Sequence, residues 1–343
     1  MKHRKRNIFA ALLFLVLGVI LYFIAPHLFP PGPVTFSPSA DHLEAYEFVE
    51  IAARVSSSRL QNPFTDARLV GKFVLDSSKQ AWTINGFCDS DDGSLFRVRF
   101  MPSEPGDYSY KVSFIKGLYS KEFSGLVHVE DGHRKGGLRV DPKNPWHFLW
   151  EGTREHYFFN GTTAYWLANW TDESVIHAAI DRFERYKINR IRVTLAGRSN
   201  TYYGEPVMNG PSWSSLTRAW ETSTFSRYLH FAGRFGQALQ QRLGLSFGQD
   251  LLESMAETTL ADDIYRPGFD YSRFNVHHWQ KFERMVNYAR GKGIVISVVL
   301  DMNDSRVHPV PGSRDEKFLL DYAIARLGAY SNITWDLGDD LNE

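Results

Sequence analysis

Side chains able to do chemistry gather at a few places in this sequence, each just past an apolar run. Trp166 and Asn169, with Tyr165 and Trp170 beside them, follow the run 157–164, and Arg198 follows 188–195. Asp301, Asn303 and Asp304 follow 294–300, and Asp339 and Asp340 follow 332–337. Carboxylates can move protons or accept hydrogen bonds from hydroxyls, and flat rings can stack on an apolar ligand face. Arg198 can hold a hydroxyl or a carboxylate. The same residues also have ordinary uses: acids solvated beyond a strand end, a surface ion pair, aromatic packing.

Several other patterns fail on inspection. Asp301-Met302-Asn303-Asp304 with His308 looks like a hard-metal loop but lacks the glycine at position six and the glutamate at twelve that an EF-hand needs. His277 and His278 are adjacent on a helix and cannot face one ion together. Gly244-Leu245-Ser246-Phe247-Gly248 fits a nucleophile elbow on paper, yet the residues before it, 235–242, read as helix where that motif requires a strand. Cys88, the single cysteine, excludes an internal disulfide and a CxxC knuckle. Neither a metal nor a cofactor is expected.

The elements that must position these residues fall into two patterns. From Val34 to Asp131 short runs alternate apolar and polar residues between turn signals, as half-buried antiparallel strands do. Phe96–Phe100 and Tyr108–Phe114 read as a hairpin-like pair around Pro102–Asp107, and the segment 34–131 as one β-sandwich domain. Residues 132–156, with Gly136, Gly137 and Pro142, read as a linker. From residue 157 to 343 strands alternate with helices. Strands are expected at 157–164, 188–195, 294–300 and 332–337. Helices are expected after a cap at Thr171 or Asp172, after Asn275, and over 314–329. Such alternation allows a doubly wound sheet or a barrel. A dinucleotide fold should show GxGxxG after its first strand, where this chain has Ala164-Tyr165-Trp166-Leu167. The barrel is favoured, with about four βα repeats of a (β/α)8 TIM-barrel type present.

Lys plus Arg equals Asp plus Glu, so no global field favours nucleic acid or an anionic surface. Lys2, Arg4, Lys5 and Arg6 precede an uncharged apolar run, residues 8–25, nearly a bilayer span. Residues 1–31 are therefore expected to be a membrane anchor that leaves the remainder outside the cytoplasm, with a cleaved signal peptide as the rival.

Certain segments resemble the apiosidase-like clan A glycoside hydrolases, which carry a DUF5060-type β-sandwich before a catalytic barrel. In the sandwich these are Asn62-Pro63-Phe64, Gly86-Phe87-Cys88-Asp89 and Arg99-Phe100-Met101-Pro102. In the second half they are His156 through Ala164, Phe269 through Asn275, and Ala325-Arg326-Leu327 leading into Trp335-Asp336-Leu337-Gly338. The resemblance implies a carbohydrate substrate and two catalytic carboxyls, one a proton donor in an Asn-Glu pair ending strand four, the other a glutamate on strand seven. In this sequence the strand-four frame reads Asp339-Asp340, and an Asn342-Glu343 pair stands two positions later. The family pattern thus points to Asp340 as acid/base, with Glu343 as the alternative, and places Asp339 against a substrate hydroxyl. Arg198, Trp166, Asn169, Asp301 and Asn303 would line the same substrate site. The alternative function is a non-catalytic carbohydrate-binding or envelope protein.

Overall fold

Period-two alternation builds the first part of the molecule. In the computed structural model, which describes residues 31–170, 172–195, 272–301, 309 and 312–338, this part holds β1 (Val34–Pro38), β2 (His42–Glu44), β3 (Val49–Val55), β4 (Ala67–Leu75), β5 (Ala81–Asn85), β6 (Phe87–Cys88), β7 (Leu95–Phe100), β8 (Gly106–Lys116) and β9 (Tyr119–Glu130). They form two sheets, in the orders β1-β3-β7-β6 and β2-β9-β8-β4-β5. In β4 every second residue is buried, and the inward rings of the two sheets meet. Phe73 stacks on Phe100 at 4.3 Å, and Phe96 meets Phe114 edge-on at 5.1 Å.

One expectation is corrected here. β7 and β8 do not pair as a hairpin: β7 bonds to β3 and β6, while β8 bonds to β4 and β9. The connection over 101–105 contains two prolines, which cannot donate to a ladder, and it carries the chain from one sheet to the other. The alternating residues of both strands therefore face each other across the core.

The segment 132–156, read from its glycines and proline as a linker, contains structure. β10 (Leu138–Val140), β11 (Phe148–Trp150) and β12 (His156–Tyr157) form an antiparallel sheet. Its glycines serve close approach. Gly136 has φ +72°, and a Cβ there or at Gly152 would lie 2.8 Å from the Tyr46 ring. Trp150 and Tyr157 from this sheet bury together with Val295.

The remaining strands among the described residues are β13 (Gly161–Thr163), β14 (Arg190–Thr194), β15 (Val295–Asp301) and β16 (Ile333–Gly338). All neighbours are parallel and follow sequence order, β13-β14-β15-β16. The expected strand 157–164 is split, because Phe158–Asn160 turn aside onto Asn189. The Asn189 amide donates to the Phe158 carbonyl at 2.6 Å, and its Oδ1 accepts from Asn160 N and from the Tyr157 hydroxyl, both at 2.9 Å.

Among the described residues three helices accompany the sheet: α1 (Glu173–Arg185), α2 (Val276–Gly291) and α3 (Arg314–Leu327). Each begins at a side-chain cap. Asp172 accepts from Ser174 N at 2.9 Å, Asn275 from His278 N at 3.1 Å, and Ser313 from Glu316 N at 3.1 Å. Ile176 and Ile180 of α1, Trp279, Phe282 and Val286 of α2, and Leu319 and Ala323 of α3 share one core with Ile191, Val193, Ile296 and Val298 of the sheet.

That core is continuous with the sandwich, and charges are buried at the seam. Arg326 of α3, fully buried, donates to Asp89 at 2.7 Å and to Glu283 of α2 at 2.8 Å. Arg99 of β7 donates to the same Glu283 at 2.7 Å and to Glu50 at 2.8 Å, and Arg97 reaches Asp89 at 2.6 Å. Three guanidiniums thus meet three carboxylates. The Tyr322 hydroxyl donates to the Cys88 carbonyl at 2.7 Å, and Phe64 and Phe274 pack edge to face at 5.4 Å. Several of the segments on which the family resemblance rests, those holding Phe64, Cys88-Asp89, Arg99, Phe274 and Arg326, therefore meet at this seam.

The apolar run at 8–25 lies outside the described residues. Among the described residues no helix is long and apolar enough to cross a membrane.

Candidate functional site at the ends of the parallel strands

Strand alternation sorts the side chains of the parallel sheet. Ile191, Val193, Ile296 and Val298 pack with the helices, so Arg190, Arg192, Thr194 and Ser297 belong to the opposite face. On that face Arg190 donates from Nη2 to Ser297 Oγ at 2.6 Å and lies over the Phe159 ring at 4.6 Å. Burial lowers the pKa of this guanidinium, an effect that the nearby Asp336 charge opposes.

One layer closer to the strand ends, Arg192 Nε donates to Asp336 Oδ2 at 2.7 Å and its Nη1 donates to the Tyr165 hydroxyl at 3.0 Å. The Tyr165 carbonyl accepts from Thr194 N at 3.0 Å and from Thr194 Oγ1 at 2.9 Å. Tyr165 therefore fastens the exit of β13 to the exit of β14.

Past Tyr165 the chain makes a 3-10 turn, Leu167–Asn169. Trp166 is half-buried and Trp170 is exposed. Asn169 is only 1% exposed, and neither atom of its side-chain amide has a hydrogen-bond partner among the described residues. A buried amide without partners costs about 1–3 kcal/mol, so Asn169 keeps unused donor and acceptor capacity just past β13. The start of α2 supports the same region from below: His278, fully buried, donates from Nε2 to the Leu195 carbonyl at 3.1 Å, while its neighbour His277 is exposed.

These contacts define what the described part can do. Arg192, Tyr165 and Asp336 form one hydrogen-bonded set beneath the strand exits, with the Trp166 ring 6.2 Å from that of Tyr165. Among the described residues no three His, Cys, Asp or Glu side chains gather to hold a metal.

Of the residues expected to line a site, Trp166 and Asn169 stand together past β13. Asp301 ends β15 in register with Gly338 of β16, with its backbone alone described. Arg198, Asn303, Asp339, Asp340 and Glu343 lie outside the described residues, as do Asp304, His308 and the Gly244–Gly248 segment. Sequence reasoning passed over Arg190, Arg192 and Asp336. The signal was present in Arg190-Ile191-Arg192-Val193-Thr194, where alternation marks a strand with one apolar and one polar face.

Comparison with known proteins agrees with this architecture. A family described as a domain of unknown function, DUF5060, matches residues 42–115, within the sandwich. A crystallised candidate glycoside hydrolase from Bacteroides vulgatus superposes with a TM-score of 0.61 at 20% identity, over 88% of this chain and 50% of that one. The chain thus spans half the length of that relative, and the likeness is one of fold. A glycoside hydrolase family 5 protein from the same organism aligns over 60% of this chain and 33% of its own, at 15% identity and a TM-score of 0.35, too low to weigh. No curated protein matches the sequence.

Proposed function

Starting from a DUF5060-type protein with a glycoside-hydrolase-like fold, we propose that it acts on glycans outside the cytoplasm. The acting surface is the C-terminal edge of its parallel sheet, which makes up the first four repeats of a (β/α)8 barrel. The observation that carries this reading is the pairing of Arg192 with Asp336. The two residues stand on alternate strands, as the members of one interior layer of such a barrel do. By ladder register Arg192 lies level with Ser297 and, through it, with Thr334, so Asp336 is two residues further along. Two residues over two strands is the shear of about one residue per strand that closes eight strands. The unbroken strand order also supports a barrel, since a doubly wound sheet reverses its order at the crevice where it binds ligand.

In this reading Trp166 offers a stacking face, Arg192 with Tyr165 sets the floor, and Asn169 stands buried past β13 beside the site. Asp340, past the end of β16, is the proton donor, with Asp339, Asp301, Asn303 and Arg198 around the substrate. Binding to immobilised polysaccharides (xylan, mannan, cellulose and pectin) tests the site. Trp166→Ala should weaken retention on the matrix that holds the wild type. Unchanged retention of that variant, or no retention of the wild type on any matrix, refutes the reading.

A further inference from the structure

The seam between the sandwich and α3 is cleft along its length. One compartment, of about 360 Å³, lies between β5, the chain leaving β7 and α3, and is lined by Trp82, Ile84, Met101, Ser103 and Ile324. A second, of about 280 Å³, continues toward Phe64, Arg68 and Phe318. Asn85 and Asp321 line both compartments and so stand at the waist of one groove.

We infer that this groove binds an oligosaccharide of at least two sugar units, at a site separate from the ends of the parallel strands. The inference rests on the glycan-acting reading above. Four observations carry it. The first is size: each compartment is near the lower limit of small-molecule sites, and their continuity suits a chain better than a single ring. The second is the floor. Trp82 is held by Phe100 at 5.6 Å and Tyr108 at 6.0 Å, while Ile324 is 53% exposed on a helix whose Leu319 and Ala323 are buried.

The third observation is the rim. Thr83, Asn85 and Ser103 are exposed, neutral and hydrogen-bonding, and they come from two segments of the sandwich, with Asp321 opposite on α3. An apolar floor bounded on both sides by such groups matches a pyranose, whose faces are C–H and whose perimeter is hydroxyl. A peptide strand added to β5 would take its hydrogen bonds from one wall only.

The fourth is charge. Arg99 at the base is engaged by Glu50 and Glu283, and Asp321 is paired with Lys317 at 2.5 Å. Arg68, exposed at the far end, is the one charged side chain of the described lining without an ion pair. The groove therefore presents a mostly neutral surface to a ligand.

Calorimetric titration of the full chain with xylohexaose, cellohexaose, mannohexaose and hexagalacturonate tests the inference, and folding of each variant is checked by its thermal transition. At least one hexasaccharide should bind, and Asn85→Ala and Trp82→Ala should each weaken it about tenfold or more. Asn85 is exposed, so its variant leaves the fold intact even if Trp82→Ala does not. Trp166→Ala should leave this binding in place. Binding that Asn85→Ala does not change overturns the inference, whatever happens at the strand ends. So does the absence of binding to all four sugars, or strand-like protection of the β5 amides by a peptide. The weakened polysaccharide retention expected of Trp166→Ala concerns the strand-end site alone, so the two readings fail separately.

Discussion

Arg326 of α3 and Asp89 of the sandwich lie 2.7 Å apart with both side chains buried, the arginine completely. Each is also engaged by a second partner, Glu283 at 2.8 Å for Arg326 and Arg97 at 2.6 Å for Asp89. Removing one member of such a cluster strands a charge away from water. Arg326→Ala should lower unfolding free energy by about 3–5 kcal/mol in urea titrations at neutral pH. A loss below about 0.5 kcal/mol, the level of a surface change, contradicts the packing described for the seam.

The same cluster sets an acid dependence. Burial by itself raises the pKa of Asp89, but Arg326 and the hydrogen bond from Arg97 outweigh it and hold the carboxyl below its ordinary 3.8. A depressed carboxyl contributes stability that is present above the unfolded pKa and is lost as pH falls through the folded one. Stability should therefore drop below about pH 4. Asp89→Asn should begin less stable and lose less over that range. An equally steep acid limb in the variant refutes the role given to Asp89.

The two parts should differ when separated. Within the sandwich Arg97 and Arg99 are already balanced by Glu50 and Asp89, so residues 32–131 should melt cooperatively as a monomer, with reduced stability. Residues 132–343 would expose Phe274, Tyr322 and the buried side of Arg326, and should aggregate or dimerise in sedimentation velocity. A monomeric 132–343 fragment with a cooperative transition contradicts this division.

Catalysis by two carboxyls needs them about 5 to 5.5 Å or about 6.5 to 9.5 Å apart, depending on stereochemistry. By family analogy the second carboxyl is a glutamate on a seventh strand, so turnover of aryl glycosides should require a polypeptide that carries that strand. In a polypeptide that also carries that strand, Asp340→Asn should abolish hydrolysis of poor leaving groups and spare activated ones, whose departure needs little acid help. Glu343→Gln should change little. The reverse pattern, read from initial rates on both leaving-group classes, assigns the proton donor to Glu343 instead.

Export is tested by topology. Protease added to intact spheroplasts should digest residues 34 onward if the apolar run 8–25 holds the chain in the membrane with its domains outside. Protection of those residues contradicts it.

Much of the fold was legible because periodicity and caps are local signals. Asp172 and Asn275 start their helices as their types suggest, and the β-branched run before Asp301 is a buried strand. The pairing of β7 was not legible, because alternation fixes which face a residue takes and leaves its neighbour open. The strand structure within 132–156 was hidden because glycine reads as flexibility, whereas Gly136 and Gly152 are small so that Tyr46 can pass. At the candidate site, Trp166 and Asn169 were found from their place past an apolar run. Arg192 and Asp336 were not, because a charge inside a strand means nothing until its partner two strands away is known.

The central claim, that glycans are held at the ends of the parallel strands, is tested most directly by hydrogen–deuterium exchange of the full chain with and without a bound hexasaccharide. The account predicts slowed exchange at the amides of Tyr165 to Trp170 and at those past the end of β16, and loss of that protection in Trp166→Ala. A bound hexasaccharide that leaves both segments exchanging as in the free protein would contradict it.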